Sequence, residues 1–115
     1  HKAGRTKTMI ETQLSRALKT FRGKKLIITY EPVWAVSVAG KGAPCPPEIA
    51  FATAGRLRAF LKQRFPNVHV TLLYGGSVSS TNIAQYVDGR HFAGALVGFA
   101  STKPAEVQKM AKAIV

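Results

Sequence analysis

Three short apolar runs, each followed by a glycine- or proline-bearing loop and then a segment of helical pattern, constrain this chain most. Leu26-Ile27-Ile28-Thr29 forms the centre of the first run, which reads as a buried strand over Lys25–Tyr30. Residues 68–73 and 93–97 read as the second and third strands. A helix over 8–21 precedes them. Thr8 and Glu11 have capping-box spacing, and Ile10, Leu14, Ala17, Leu18 and Phe21 make one apolar stripe, with Gly23 as the stop. Pro46-Pro47-Glu48 opens a second helix, since proline fits a first turn and an acid there complements the helix dipole. It runs to about Phe65 with Ile49, Thr53, Leu57, Phe60 and Leu61 inward, and Pro66-Asn67 breaks it. A short helix over 81–87 leads to the turn Asp88-Gly89. Pro104 opens the last helix, with Val107, Met110, Ala111 and Ile114 on its buried face.

Alternation of this kind gives an α/β fold with a parallel sheet and right-handed crossovers. Three strands cannot close a barrel, which needs about eight. Alone they would leave two open edges and a bare sheet face. The chain therefore reads as one partial domain over 1–115 with no internal linker, completed by further strands from elsewhere. A small three-stranded flavodoxin-like sheet is the competing architecture. The first residue is His1 rather than Met, which fits a processed start or a fragment.

The chain has 17 basic and 5 acidic residues and a net charge of +12, which invites a nucleic-acid reading. Against it, the basic residues are scattered, with Arg22, Lys24 and Lys25 the only tight group, and no zinc pattern, aromatic RNA-binding motif or GXXG loop accompanies them. No apolar run reaches ~18 residues, so no membrane contact is expected. A single cysteine, Cys45, fits a reducing cytoplasm; among prolines it reads as structurally incidental. His69 and His91 have no partners in the sequence pattern that would make a triad or a metal site.

Glu31 directly follows the first strand, at the rim where α/β folds do their chemistry. Pro32 biases it toward extended backbone, so its carboxylate sits on a stiff mount. A solvated strand-end Glu is the alternative. Two glycine turns, Gly75-Gly76-Ser77 and Gly98-Phe99-Ala100-Ser101, follow the second and third strands. Bare glycine backbone lets N–H groups approach an anion, and serine adds a hydroxyl donor. Either turn alone could be a plain tight turn. Both together, after a strand bearing a carboxylate, make a plausible phosphate cradle. Trp34 reads as a loop anchor.

These residues resemble the C-terminal half of the triosephosphate isomerase family. The likeness rests on Tyr30-Glu31-Pro32-Val33-Trp34-Ala35, Gly40-Lys41, Tyr74-Gly75-Gly76-Ser77-Val78, and Leu96-Val97-Gly98 with Ala100-Ser101, in that order. The opening Lys2-Ala3-Gly4-Arg5-Thr6 is similar to the segment leading into the family's fifth helix. The resemblance implies part of a TIM (β/α)8 barrel, its C-terminal half. It implies an aldose–ketose isomerase acting on a phosphorylated triose, with no cofactor and no metal. Glu31 would be the catalytic base, and Ser37, Ser77, Gly98 and Phe99 the substrate-binding positions. Pro32-Val33-Trp34 would be the first hinge of a lid. The partners implied are the missing N-terminal half, carrying the catalytic lysine and histidine, and a second copy in a homodimer. The chain departs from the family at several points. Its lid, Ala35-Val36-Ser37-Val38-Ala39-Gly40-Lys41-Gly42-Ala43, is one residue longer than usual, and Ser37 stands where a glycine is expected. Pro44-Cys45-Pro46-Pro47 is expanded, and Phe99 replaces the second glycine of a Gly-Gly pair. A competing reading is a noncatalytic descendant that binds anions or nucleic acid through its basic faces.

Overall fold

The structure, a computed structural model, describes residues 3–32 and 43–115. Helix α1 (Ala3–Ala17) leads into strand β1 (Lys25–Tyr30), helix α2 (Pro47–Arg64), strand β2 (His69–Tyr74) and the single turn of helix α3 (Ile83–Tyr86). Strand β3 (Gly94–Ala95), a 3-10 turn (Phe99–Thr102) and helix α4 (Pro104–Ala113) complete it. The strands form one parallel sheet in the order β1-β2-β3. This is the expected alternation.

Side-chain alternation along the strands divides the sheet into two unequal faces. Leu26, Ile28 and Tyr30 of β1 join Val70, Leu72 and Tyr74 of β2 against the core, where Ala50, Ala54, Leu57 and Leu61 of α2 are buried. The other face carries Ile27 opposite Thr71 and Thr29 opposite Leu73. Ile27 is 68% exposed, and Leu96 beyond β3 is 49% exposed. Parallel sheets ordinarily bury both faces. Among the described residues, nothing covers this one.

Several boundaries differ from expectation. Helix α1 begins at Ala3, not Thr8, and ends at Ala17. Thr8 is inside the helix, and its hydroxyl donates to the carbonyl of Gly4 four residues back at 3.1 Å, so it caps nothing. Ile10, Leu14 and Leu18 do pack against the core, whereas Ala17 is exposed. Strand β3 is shorter than 93–97 because it pairs only with the last two residues of β2, Leu73 and Tyr74. Single bonds from Ala93 N–H to Leu72 and from Leu96 N–H to Tyr74 flank that pairing. On α4 only Met110 is buried. Val107 and Ile114 are each 42% exposed and Ala111 is exposed, because no described element packs on the rest of the stripe. Cys45 is not incidental: it has no solvent exposure and belongs to the core cluster.

The turn into β3 is built on Asp88. Its carboxylate accepts the backbone N–H groups of Arg90 (2.9 Å) and His91 (2.7 Å), and lies 2.6 Å from His91 Nδ1. His91 also stacks on Phe51 with ring centroids 4.2 Å apart, and its carbonyl accepts from Arg58 at 2.9 Å. Partial burial works to raise the Asp88 pKa, but the hydrogen bonds from His91 and Arg90 outweigh it and hold the carboxyl well below the usual range. A depressed carboxyl pKa stabilises the fold above the unfolded value of about 3.9, and that contribution is lost as pH falls through the folded value. Asp88→Ala is expected to cost about 1 kcal/mol at neutral pH, the group being partly solvated. Urea titrations of both proteins should show the gap narrowing below about pH 4.

Candidate active site

The register of β1 on β2 decides where the carboxylate lies. Tyr30 is opposite Tyr74, and the Gly75 N–H donates to the Tyr30 carbonyl at 2.8 Å, so Glu31 and Gly75 leave their strands at the same height. A Cβ built on Gly75 would sit 2.6 Å from Glu31 Cγ and 2.6 Å from Thr29 Cγ2. The Glu31 side chain therefore lies directly over the first glycine turn, at the carboxyl end of the sheet. Glu31 is exposed and Pro32 behind it is buried, as a rigid mount requires.

The two glycine turns meet. Gly75, Gly76, Ser77 and Val78 of the first and Gly98, Phe99 and Ala100 of the second line one cavity of about 70 Å³. That is several times the ~10–15 Å³ one water needs. Ser77, Gly98 and Phe99 are thus brought together. Ser37, Trp34, Gly40 and Lys41 lie outside the described residues. Phe99 is 40% exposed, and Lys103 Nζ sits 5.3 Å from its ring centre. Gly98 is held from behind: its carbonyl accepts from the Ser101 N–H (3.0 Å) and hydroxyl (2.6 Å).

Side chains remote in sequence fix the first turn. Asn82 accepts the Ser79 N–H at 2.8 Å and donates to the Ser77 carbonyl at 3.2 Å. Glu106 on α4 accepts the Ser80 N–H at 2.6 Å, and this contact with Ser80 holds its carboxyl below the usual range. The Ser79–Asn82 contact is local, three residues apart in sequence. Glu106 is 26 residues from Ser80 and gives no local signal. Beneath the turn lies Tyr74: a Cβ on Gly76 would fall 2.1 Å from its Oη.

A parallel sheet with a carboxylate and two glycine turns on its carboxyl rim defines an α/β protein with its candidate site where such folds do their chemistry. The triosephosphate isomerase family model matches residues 1–114. Similar proteins are the triosephosphate isomerases of Mesomycoplasma hyorhinis (40% identical; 90% of this chain, 39% of that protein) and Synechococcus sp. strain JA-3-3Ab (37%; 93% and 39%). That of Gloeothece citriformis is 38% identical over 90% of this chain and 40% of its own length. The chain belongs to the triosephosphate isomerase family, and its fold is part of a TIM barrel. It spans about two fifths of the length of these relatives.

The buried phenol under Gly76 makes that glycine irreplaceable. Tyr74 has no exposure and stacks on Tyr86, so its ring cannot yield to a new methyl group. Gly76→Ala is expected to destabilise by about 3 kcal/mol. Gly55→Ala, in α2 with no atom within 4 Å of the new Cβ, should stabilise by about 0.5–1 kcal/mol. Chemical denaturation of the two variants checks both signs.

Proposed function

We propose that this chain is the part of a triosephosphate isomerase that carries the base and the phosphate cradle. The reaction interconverts dihydroxyacetone phosphate and D-glyceraldehyde 3-phosphate, a step of glycolysis and gluconeogenesis. Glu31 removes a proton from one carbon, leaving an enediolate, and returns it to the neighbouring carbon. Ser77 and the backbone at Gly98 and Phe99 hold the phosphate, with Ser37 adding a contact. The observation that carries this reading is the placing of Glu31 over Gly75, next to the cavity that joins both glycine turns. A base beside an anchored phosphate can be aimed at one carbon of a short substrate.

The same reading accounts for the unfinished surfaces. A groove of about 510 Å³ runs between α1 and β1, lined by Ile10, Leu14, Ile28, Tyr30, Glu31 and Pro32. It flanks the edge strand β1 and adjoins the catalytic rim. The remainder of the barrel fills this groove and covers Ile27 and Leu96, supplying the lysine and histidine donors of the family. The complete protein pairs as a homodimer in the cytoplasm, and residues 1–115 form one partial domain. Without those donors an enediolate has no preorganised partners, and each lost donor costs on the order of 100-fold in rate. The isolated 115 residues are expected to show no turnover in a coupled isomerase assay. The complete protein should be active and lose at least about 100-fold in kcat with Glu31→Gln. Activity of the isolated chain that survives Glu31→Gln would overturn the assignment.

One observation favours a second reading, a noncatalytic polyanion-binding surface. Among the described residues the one ion pair is Asp88–His91, so no described Lys or Arg is paired with a carboxylate. Arg5, Lys7 and Arg16 on α1 and Arg56 and Lys62 on α2 are exposed. If this surface binds nucleic acid, duplex DNA affinity should fall steeply with salt, with a log–log slope of about −0.9 per phosphate contacted. Fluorescence anisotropy between about 50 and 200 mM salt separates the readings: no binding at the lower end removes this one.

A further inference from the structure

Two buried tyrosines grip the main chain of one residue. The rings of Tyr74 and Tyr86 are stacked, with centroids 4.0 Å apart and planes 2° from parallel. Their solvent exposures are 0% and 1%. The Cys45 N–H donates to Tyr74 Oη at 3.3 Å, and the Tyr86 hydroxyl donates to the Cys45 carbonyl. Both main-chain polar groups of Cys45, a residue without solvent access, are therefore satisfied by phenols. Burial, and then the neighbouring Tyr86, push the Tyr74 phenol far above its usual range, so it stays neutral.

This cluster is also the floor of the candidate site. Gly76 rests on Tyr74: a Cβ there would meet Oη at 2.1 Å and Cζ at 2.5 Å. Tyr86 ends α3, 12 residues after Tyr74 along the chain as numbered, and reaches back beneath the turn. A phenylalanine at position 86 could fill the same space. It could not pair the Cys45 carbonyl, which would be left buried and unsatisfied. The hydroxyl thus fixes Cys45, Cys45 fixes the Tyr74 hydroxyl, and Tyr74 sets the height of Gly76 in the cavity wall.

We infer that Tyr86 is a positioning residue for the glycine turns: through Cys45 and the stacked Tyr74 it holds Gly76 and Ser77 where their cavity accepts a phosphate. The inference rests on the proposed reading of that cavity as the phosphate cradle. Tyr86 touches no substrate.

The test compares the natural full-length protein with its Tyr86→Phe variant, using inorganic phosphate as probe. Phosphate Kd should rise about tenfold, the worth of roughly one hydrogen bond. KM should rise more than kcat falls, and amide exchange at Gly76 and Ser77 should quicken. Phe92→Leu is the control. Phe92 is buried with its ring 5.6 Å from Tyr74, but it has no hydroxyl. It should lower Tm and leave phosphate affinity within about twofold. If Tyr86→Phe lowers Tm but leaves phosphate affinity and turn exchange unchanged, Tyr86 is core packing and the inference fails. If the wild type binds no phosphate, the cradle reading fails, and exchange alone then judges Tyr86: faster at Gly76 supports positioning, unchanged overturns it. Should Tyr86→Phe not fold, wild-type exchange decides. Protection at Cys45 and Gly76 alike within about threefold marks one cooperative unit, and Gly76 exchanging about 100-fold faster overturns the link.

Discussion

Everything at the carboxyl rim depends on the register between β1 and β2. Six consecutive pairs, from Lys25 with His69 to Tyr30 with Tyr74, set it. Strand side chains alternate, so a slip of one residue would turn Ile27 inward and carry Leu26 and Ile28 to the open face. It would also take Glu31 off Gly75. The register is held by the burial of Leu72 and Tyr74 in the core, not by the open face, where Ile27 contributes almost nothing. Fold and site therefore share one determinant: the inward residues of β2 keep Glu31 level with the first glycine turn.

Much of this was legible in the sequence, and the exceptions share a cause. Strand β1 was readable to the residue because Leu26-Ile27-Ile28 is bounded by lysines before it and Glu31-Pro32 after it. Helix α2 was readable because its prolines mark the start and Pro66 the stop. Thr8 misled because a threonine hydroxyl can bond forward as a cap or backward to a carbonyl, and spacing does not say which. On α4, Val107 and Ile114 form a proper apolar stripe, but periodicity reports which face seeks burial, not whether a neighbour is there. In the site, Glu31, Ser77, Gly98 and Phe99 were marked by local patterns. Cys45, Tyr86 and Glu106 were not. Cys45 and Tyr86 are separated by 41 positions, and only the tertiary fold makes them meet.

The bare sheet face and the groove beside β1 belong together. Both lie where an edge strand meets apolar side chains that nothing described covers, while the helical side of the sheet is well packed. A self-sufficient small domain would show the reverse, with polar residues on its exposed face. On the proposed reading, Ile27, Leu96 and Val107 would belong to a core that the rest of the barrel completes. The relatives it matches are more than twice as long, which fits that reading.

The proposed cradle also raises an electrostatic question. Among the described residues its lining includes no charged side chain, and the Glu31 carboxyl group lies beside it. A phosphate dianion and a carboxylate this close repel each other, and water and salt screen part of that. Backbone N–H groups aimed into a small cavity can offset this repulsion because they need no reorientation when the anion arrives. The net charge of +12 acts at longer range, raising the concentration of any anion near the surface without choosing where it docks. On the proposed reading, attraction and placement would be divided between different parts of the molecule: the scattered lysines and arginines would draw phosphate in, and the neutral glycine turns, propped on Tyr74, would set where it rests relative to Glu31.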